Sequence, residues 1–256
     1  MSWSRQILLK SPAELDVMRE AGRVNATVLV TVKELLKPGV STADLNAAAE
    51  EVLRKHGCVS PFKGYGHPPF PSSITVSINQ ELVHGIPSKQ RKLKSGDIVS
   101  IDCGTVLDGF VADSAFSAGV DEISFEAQKL LDVTNEALQA GISKMRVGNR
   151  TGDISAAIQN YVESHGFHVT REYTGHGVGR QMHEGPQVPN YGRAGTGMPL
   201  KAGMTIAIEP MVLVGTANTK VLADQWTVVS ADGSLTAHFE HSIAVTEGEP
   251  RILTVP

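Results

Sequence analysis

The feature that most constrains this chain is a stretch written twice. LKSGDIVSID, from Leu93 to Asp102, returns as LKAGMTIAIE, from Leu200 to Glu209, with Leu, Lys, Gly and the penultimate Ile in register at an offset of 107 residues. Each copy ends in a carboxylate, and Asp102 falls on Glu209. IVSI and TIAI are nearly apolar throughout, the pattern of strands buried on both faces. A carboxylate in such a place is costly unless something positive meets it. Two of them at matching points predict one cation site between two halves.

The helical segments repeat as well. Ser11-Pro12-Ala13-Glu14 is a helix start, with a Ser cap, Pro in the first turn and Glu where it can reach back. The predicted helix runs to about Leu36 and stops at Pro38-Gly39, and a second runs from Ser41 and Asp44 to Gly57. Thr42 to Ala48 (TADLNAA) matches Thr151 to Ala157 (TGDISAA), and His56-Gly57 matches His165-Gly166, at an offset of 109 residues. Phe125 to Met145 takes the place of the first long helix. Each half therefore reads helix, helix, strand, strand, and the two offsets differ by a two-residue indel. A period this long indicates internal duplication about a pseudo-two-fold axis rather than a solenoid. The expected fold class is α+β, a single domain over residues 1–256 with halves at about 11–120 and 121–250, its antiparallel sheet covered by helices.

Composition narrows the function. A chain of 256 residues can bury roughly three-quarters of its unfolded surface. A net charge of −4 and a pI near 6.1 offer no basic face, so no direct nucleic-acid binding is expected. The opening MSWSRQILLKSP lacks a signal-peptide pattern, and the longest aliphatic stretch, Ala26 to Val32, is too short to span a bilayer, so no membrane association and a cytoplasmic location are expected. Cys58 and Cys103 are too few for a disulfide framework and read as reduced thiols.

The chemistry gathers around the repeated strands. CGTVLDGFVADSAF after Asp102 carries a turn signal at Asp108-Gly109, so it reads as a hairpin. The register expected here sets Asp102 opposite Asp113, about 4.5–5.5 Å apart at Cβ, where they repel unless a cation lies between them. Glu240, in the strand pattern AHFEHSIAVT with apolar Phe239, Ile243 and Val245 beside it, is expected to hold in the second half the place of Asp113 in the first. Four carboxylates exceed the charge of one divalent ion, which argues for two metals about 3.5–4 Å apart bridged by shared carboxylates. Of nine histidines, His56, His165 and His168 read as helix-end or surface residues. His176, framed by Gly175 and Gly177, sits on backbone free to bend tightly and approach a ligand, and His183 and His84 (in VHGIP) are further candidates. An imidazole among carboxylates moves the preference from calcium or magnesium toward manganese, iron, cobalt or zinc. Cys103 is set on the other face from Asp102 by strand alternation. GYGHPPFPSS, Gly64 to Ser73, is too rich in Pro and Gly for a regular element, and its Tyr65 and Phe70 could line a pocket, while Ile74 to Asn79 alternates like a strand.

HGIP at 84, IDCG and VADSAF around Asp102 and Asp113, GHGVGRQMHEGPQV from 175, IEPMV at 208 and FEHSIAVT at 239 together resemble the type I methionine aminopeptidases, which have the pita-bread fold. The resemblance runs over nearly the whole chain in the family's order. It implies that Asp102, Asp113, His176, Glu209 and Glu240 hold two divalent metal ions (manganese, iron(II), cobalt or zinc), with Asp113 and Glu240 bridging. It further implies that His84 lies near the scissile amide nitrogen, that His183 lies at the carbonyl oxygen, and that Glu209 shuttles the proton. Tyr65, Phe70, Thr75, Met182, Met211 and Trp226 would form the methionine pocket. Thr75 stands where Cys is common in the family, and Met182 and Gly185 stand where Phe and Glu are common, departures that touch pocket shape and leave the ligands intact. The implied partners are nascent polypeptide N-termini with a small second residue, as in this chain's own Met1-Ser2, together with a transient ribosome contact made by a monomer. The competing readings are an Xaa-Pro aminopeptidase or prolidase, which shares the ligands, and a non-catalytic pita-bread binding protein, which would have shed them.

Overall fold

The computed structural model describes residues 7–256, so Met1 and Ser2, and half of the segment examined for a signal peptide, fall outside it. The first half contains α1 (Pro12–Glu34), α2 (Thr42–Lys55), β1 (Ile74–Ile78), β2 (Glu81–Val83), β3 (Ile98–Leu107) and β4 (Phe110–Gly119). The second begins with α3 (Phe125–Ile142), α4 (Thr151–Ser164), β5 (His168–Val169), β6 (Thr174–Gly177) and β7 (Glu184–Pro189). It continues through β8 (Thr205–Ile208), β9 (Met211–Leu213), β10 (Thr219–Val221), β11 (Val228–Ser230), β12 (Thr236–His238), β13 (Glu240–Ala244) and β14 (Arg251–Ile252). The helix–helix–strand–strand plan holds, with short strands added to the second half.

The helix starts follow from the caps. Ser11 and Glu14 form a reciprocal capping box, as do Ser41 and Asp44, each cap worth about 1 kcal/mol. Asp153 occupies the place of Asp44 and accepts from the Arg150 N–H at 2.7 Å. The indel is visible too: the bridge joining Ser41 to Lys92 recurs between Arg150 and Pro199, one partner shifted by 109 residues and the other by 107.

One antiparallel sheet, in the order β1-β3-β4-β13-β8-β6-β7 with β14 against β13, crosses both halves, which meet at β4 and β13. α1 and α2 cover the face carrying Ile74, Val76, Ile101 and Cys103, and α3 and α4 cover Ile206 and Ile208. Buried Asn25 of α1 fixes the first pair of layers: its amide donates to the Cys103 and Ala112 carbonyls, and its oxygen accepts from Ser114 Oγ. Those bonds satisfy a polar group that would otherwise be costly under a helix. Cys58 and Cys103 are both buried and free, and burial pushes the Cys103 thiol well up.

The hairpin register differs from the expected one. Asp108 (φ 48°) and Gly109 (φ 76°) are both left-handed, so they make a two-residue turn closed by Leu107 and Phe110. Asp102 then faces Ala115, and Asp113 faces Gly104. A direct Asp102–Asp113 pair would set Leu107 against Asp108 and leave no residue to turn the chain. The correction is a slip of two, so both carboxylates stay on one face and become diagonal neighbours. AHFEHSIAVT also differs, because it breaks at Phe239. β12 pairs with β9, while β13 stays in the main sheet.

Candidate active site

On the face away from the helices, the register lays carboxylates in a row across the sheet. Asp102 and Glu240 both lie opposite Ala115, one on each side. The small methyl of Ala115 leaves open the space between them. Continuing the β8–β13 register one step past the His241–Ile208 pair sets Glu209 beside Glu240. Glu209 lies one residue beyond β8 because Pro210, with no N–H, ends the ladder there. Asp113 completes the group from its diagonal position.

His176 arrives on β6, between β7 and β8. Its Nε2 is 3.7 Å from Asp113 Oδ2 and 3.4 Å from Glu209 Oε1, and its Nδ1 lies 3.0 Å from the Gly177 carbonyl. Nδ1–H donating to that carbonyl leaves the Nε2 lone pair facing the carboxylates, the arrangement of a metal-binding imidazole. The flanking glycines serve close approach rather than the tight bend expected. A Cβ at Gly175 would sit 2.6 Å from the Ala207 oxygen, and one at Gly177 would sit 2.1 Å from the Gly185 oxygen.

Whether these residues suit a cation is answered by their unmet demands. Asp102 Oδ1, Asp113 Oδ1 and Glu240 Oε1 are buried without a hydrogen-bond partner. Atoms of Asp113, His176 and Glu240 all lie within 4.8 Å of one another. Burial, and after it the neighbouring carboxylates, hold Asp113, Glu209 and Glu240 well above the usual range; burial raises Asp102 to about 7. Burial lowers His176 to about 3. A cluster of acids that resists ionising beside a neutral imidazole is one that a divalent cation would relieve.

The row forms the floor of a cavity of about 590 Å³, and every residue predicted for the site lines it. His183 stands 4.4 Å from the His176 ring, its Nδ1 2.7 Å from the Tyr65 hydroxyl. His84 has φ 62°, strained for a side chain larger than glycine, and is packed edge-on between Tyr173 and Trp226. Burial lowers both His84 and His183 to about 4. One wall is the Tyr65–Phe70 loop, latched where Trp226 Nε1 donates to the Pro68 carbonyl at 3.0 Å and Phe70 meets the Trp226 ring at 5.2 Å. Thr75 pairs directly with Asp102 across β1 and β3. Sequence reasoning missed other lining residues, among them Phe62, Tyr173, Gln181 and His238. It also missed the buried Lys10–Glu184 pair at 2.5 Å. Glu184 further accepts from the Gln181 N–H at 3.1 Å, which anchors the loop carrying His183.

The sequence pattern of metallopeptidase family M24 matches residues 16–247. The chain belongs to family M24. It is 51% identical to methionine aminopeptidase 1 of Bacillus subtilis over 248 residues, covering 97% of this chain and 99% of that one. Against a methionine aminopeptidase of Clostridium acetobutylicum the identity is 50% over 249 residues, covering 97% and 99%. The solved methionine aminopeptidase of Thermotoga maritima superposes with a TM-score of 0.96 at 44% identity, covering 98% of this chain and 100% of that one. An Xaa-Pro dipeptidase of Bacillus anthracis, at 22% identity and a TM-score of 0.77, shares the fold, and this chain spans 62% of it. M24 membership and the solved neighbours establish the pita-bread fold, and the family together with the buried Asp113, His176 and Glu240 group points to divalent-metal binding.

The M24 site gives the metal-free protein a pH signature. The raised carboxylates keep protons that the unfolded chain has lost above about pH 4–5. The folded state therefore binds more protons, and stability falls as pH rises through their folded pKa values. The lowered histidines act oppositely, but their effect fades above about pH 7.5, where the unfolded imidazole has lost most of its proton. Between about pH 7.5 and 8.5 the carboxylates dominate, so chelated protein is expected to lose stability on raising the pH. Metal at 100 times its Kd should add about 2.7 kcal/mol and flatten the slope. Urea midpoints of chelated and loaded protein at both pH values test this, and a midpoint that rises with pH in chelated protein contradicts it. Among the described residues no helix is long and apolar enough to cross a membrane.

Proposed function

We propose that this protein is a methionyl aminopeptidase that removes the N-terminal methionine of polypeptides whose second residue is small, working as one catalytic domain with two divalent ions. The observation that carries the reading is an aromatic pocket built directly against the carboxylate and imidazole row. The substrate named by the near-full-length relatives supports it. Asp102, Asp113, His176, Glu209 and Glu240 would hold the ions, Asp113 and Glu240 being shared, since four carboxylates need more than one divalent charge. The ions, when bound, supply an activated water and polarise the scissile carbonyl.

The chain's own residues do the rest. Tyr65 donates its O–H to His183 Nδ1, which sets the imidazole proton on Nε2, where it would bond the carbonyl oxygen as negative charge develops there. Burial raises the Tyr65 phenol, so it keeps the proton it donates. His84 holds the scissile amide nitrogen. Glu209, its acid form favoured by burial, passes a proton to the leaving amine. The methionine thioether lies against Phe70, Met211 and Trp226 in a soft, adaptable contact. Beyond the scissile bond the cleft is tight, because a large side chain there meets packed atoms instead of merely losing a contact. Met-Ala-Ser and Met-Ser peptides are expected to be cleaved rapidly, Met-Leu-Ser and Met-Lys-Ser poorly. Equal kcat/KM for Met-Ala-Ser and Met-Leu-Ser would refute the tight cleft. A strong preference for Xaa-Pro peptides would move the protein to the prolidase branch.

A further inference from the structure

The internal two-fold relates β3 and β4 to β8 and the segment β12–β13, and its register singles out a residue not counted among the ligands. Asp102 is opposite Ala115 on β4, and in the same way Glu209 stands beside Glu240 on β13. Glu240 is therefore the counterpart of Ala115, not of Asp113. The counterpart of Asp113, two residues earlier, is His238.

A pair of hydrogen bonds repeats on both sides of this relation. The Asp113 N–H donates to Ser242 Oγ at 2.9 Å, and that hydroxyl donates to the Asp113 carbonyl at 2.8 Å. The His238 N–H donates to Ser117 Oγ at 2.9 Å, and that hydroxyl donates to the His238 carbonyl at 2.8 Å. The two backbones are thus clamped alike at the seam between β4 and the strand pair β12–β13.

His238 is 2% exposed and lines the cavity. Its Nε2 is buried with no hydrogen-bond partner, 3.7 Å from Glu209 Oε2 and 3.8 Å from Glu240 Oε2. A structural histidine in a core normally has its ring nitrogens satisfied. Donors that share one ion at about 2.0–2.2 Å each stand up to about 4.4 Å apart, so each of these two separations suits a cation shared by His238 and that carboxylate.

We propose that His238 is a sixth protein donor to the metal centre, giving the Glu209–Glu240 pair a second imidazole beside the one that His176 sets between Asp113 and Glu209. The inference rests on the site holding divalent metal. A second imidazole makes the centre richer in nitrogen, a donor set that favours iron, cobalt or zinc over manganese.

The test loads wild-type and His238→Gln protein with cobalt(II) and counts coordinated imidazoles by X-ray absorption at the cobalt edge. Two imidazoles per chain are expected in the wild type and one in His238→Gln, with the weaker cobalt site losing about tenfold or more in affinity, at least the loss that follows removal of a supporting group. One imidazole in the wild type overturns the proposal, even if the variant binds cobalt less well, because His238 would then act only by orienting a carboxylate. Unchanged spectrum and affinity in the variant also overturn it. A wild type that binds no cobalt overturns the metal centre itself, a failure distinguishable because it precedes any comparison with the variant. The melting temperature of the chelated variant checks its folding, and the wild-type count decides the matter if the variant does not fold.

Discussion

Replacing Glu240 with alanine is expected to abolish turnover while leaving the fold nearly intact. Glu240 projects from β13 into the centre of the site, opposite Ala115, and its Oε1 has no hydrogen-bond partner. Its contacts lie within the acid cluster, where it bonds the Asp113 carboxyl, and burial, then Glu209 and Asp102, hold its pKa well above the usual range, so in chelated protein its removal takes one strained acid out of the group. As the proposed shared ligand, however, it has no substitute. Elemental analysis should show fewer than two ions per chain, and hydrolysis of Met-Ala-Ser should fall to background. Full activity in the variant, or in chelated protein free of metal by mass spectrometry, would sink the binuclear reading.

The second large effect is expected at His183. His183→Ala should lower kcat by about 10²–10³, the usual size for losing one donor to a developing oxyanion, with metal content unchanged. The ring lies 4.4 Å from His176, and its Nδ1 meets the Tyr65 hydroxyl at 2.7 Å. His84→Ala should behave similarly, because His84 reaches the cavity from the loop after β2. Loss of metal from either variant would place that histidine among the ligands instead.

Much of this site was legible in the sequence because carboxylates at the ends of repeated apolar strands are an anomaly that only a cation resolves. Asp102 and Glu209 announced themselves that way, and Asp113 and Glu240 followed from strand patterns beside them. What failed was register. Strand alternation told which face Asp113 shares with Asp102, but only the two-residue turn at Asp108-Gly109 determines that they sit diagonally. The same gap hid His238, whose correspondence to Asp113 depends on how β13 lies against β8. The glycines around His176 were noticed for their freedom, whereas the structure uses their lack of a side chain against Ala207 and Gly185. No local pattern joins Lys10 to Glu184, because neither residue stands in a repeated or periodic segment.

That buried pair has a consequence for the protein's birth. Its members are 174 residues apart. At about 5–20 residues per second, a ribosome would add the second roughly 9–35 seconds after the first. Through that interval Lys10 can remain hydrated, and the early helices can pack without it. Only when Glu184 emerges can the ammonium group be drawn under the His183 loop, and β8 and β13 follow later still. An early part of the nascent chain thus waits for a segment made 174 residues later, and the carboxylate row is complete only once β13 has followed.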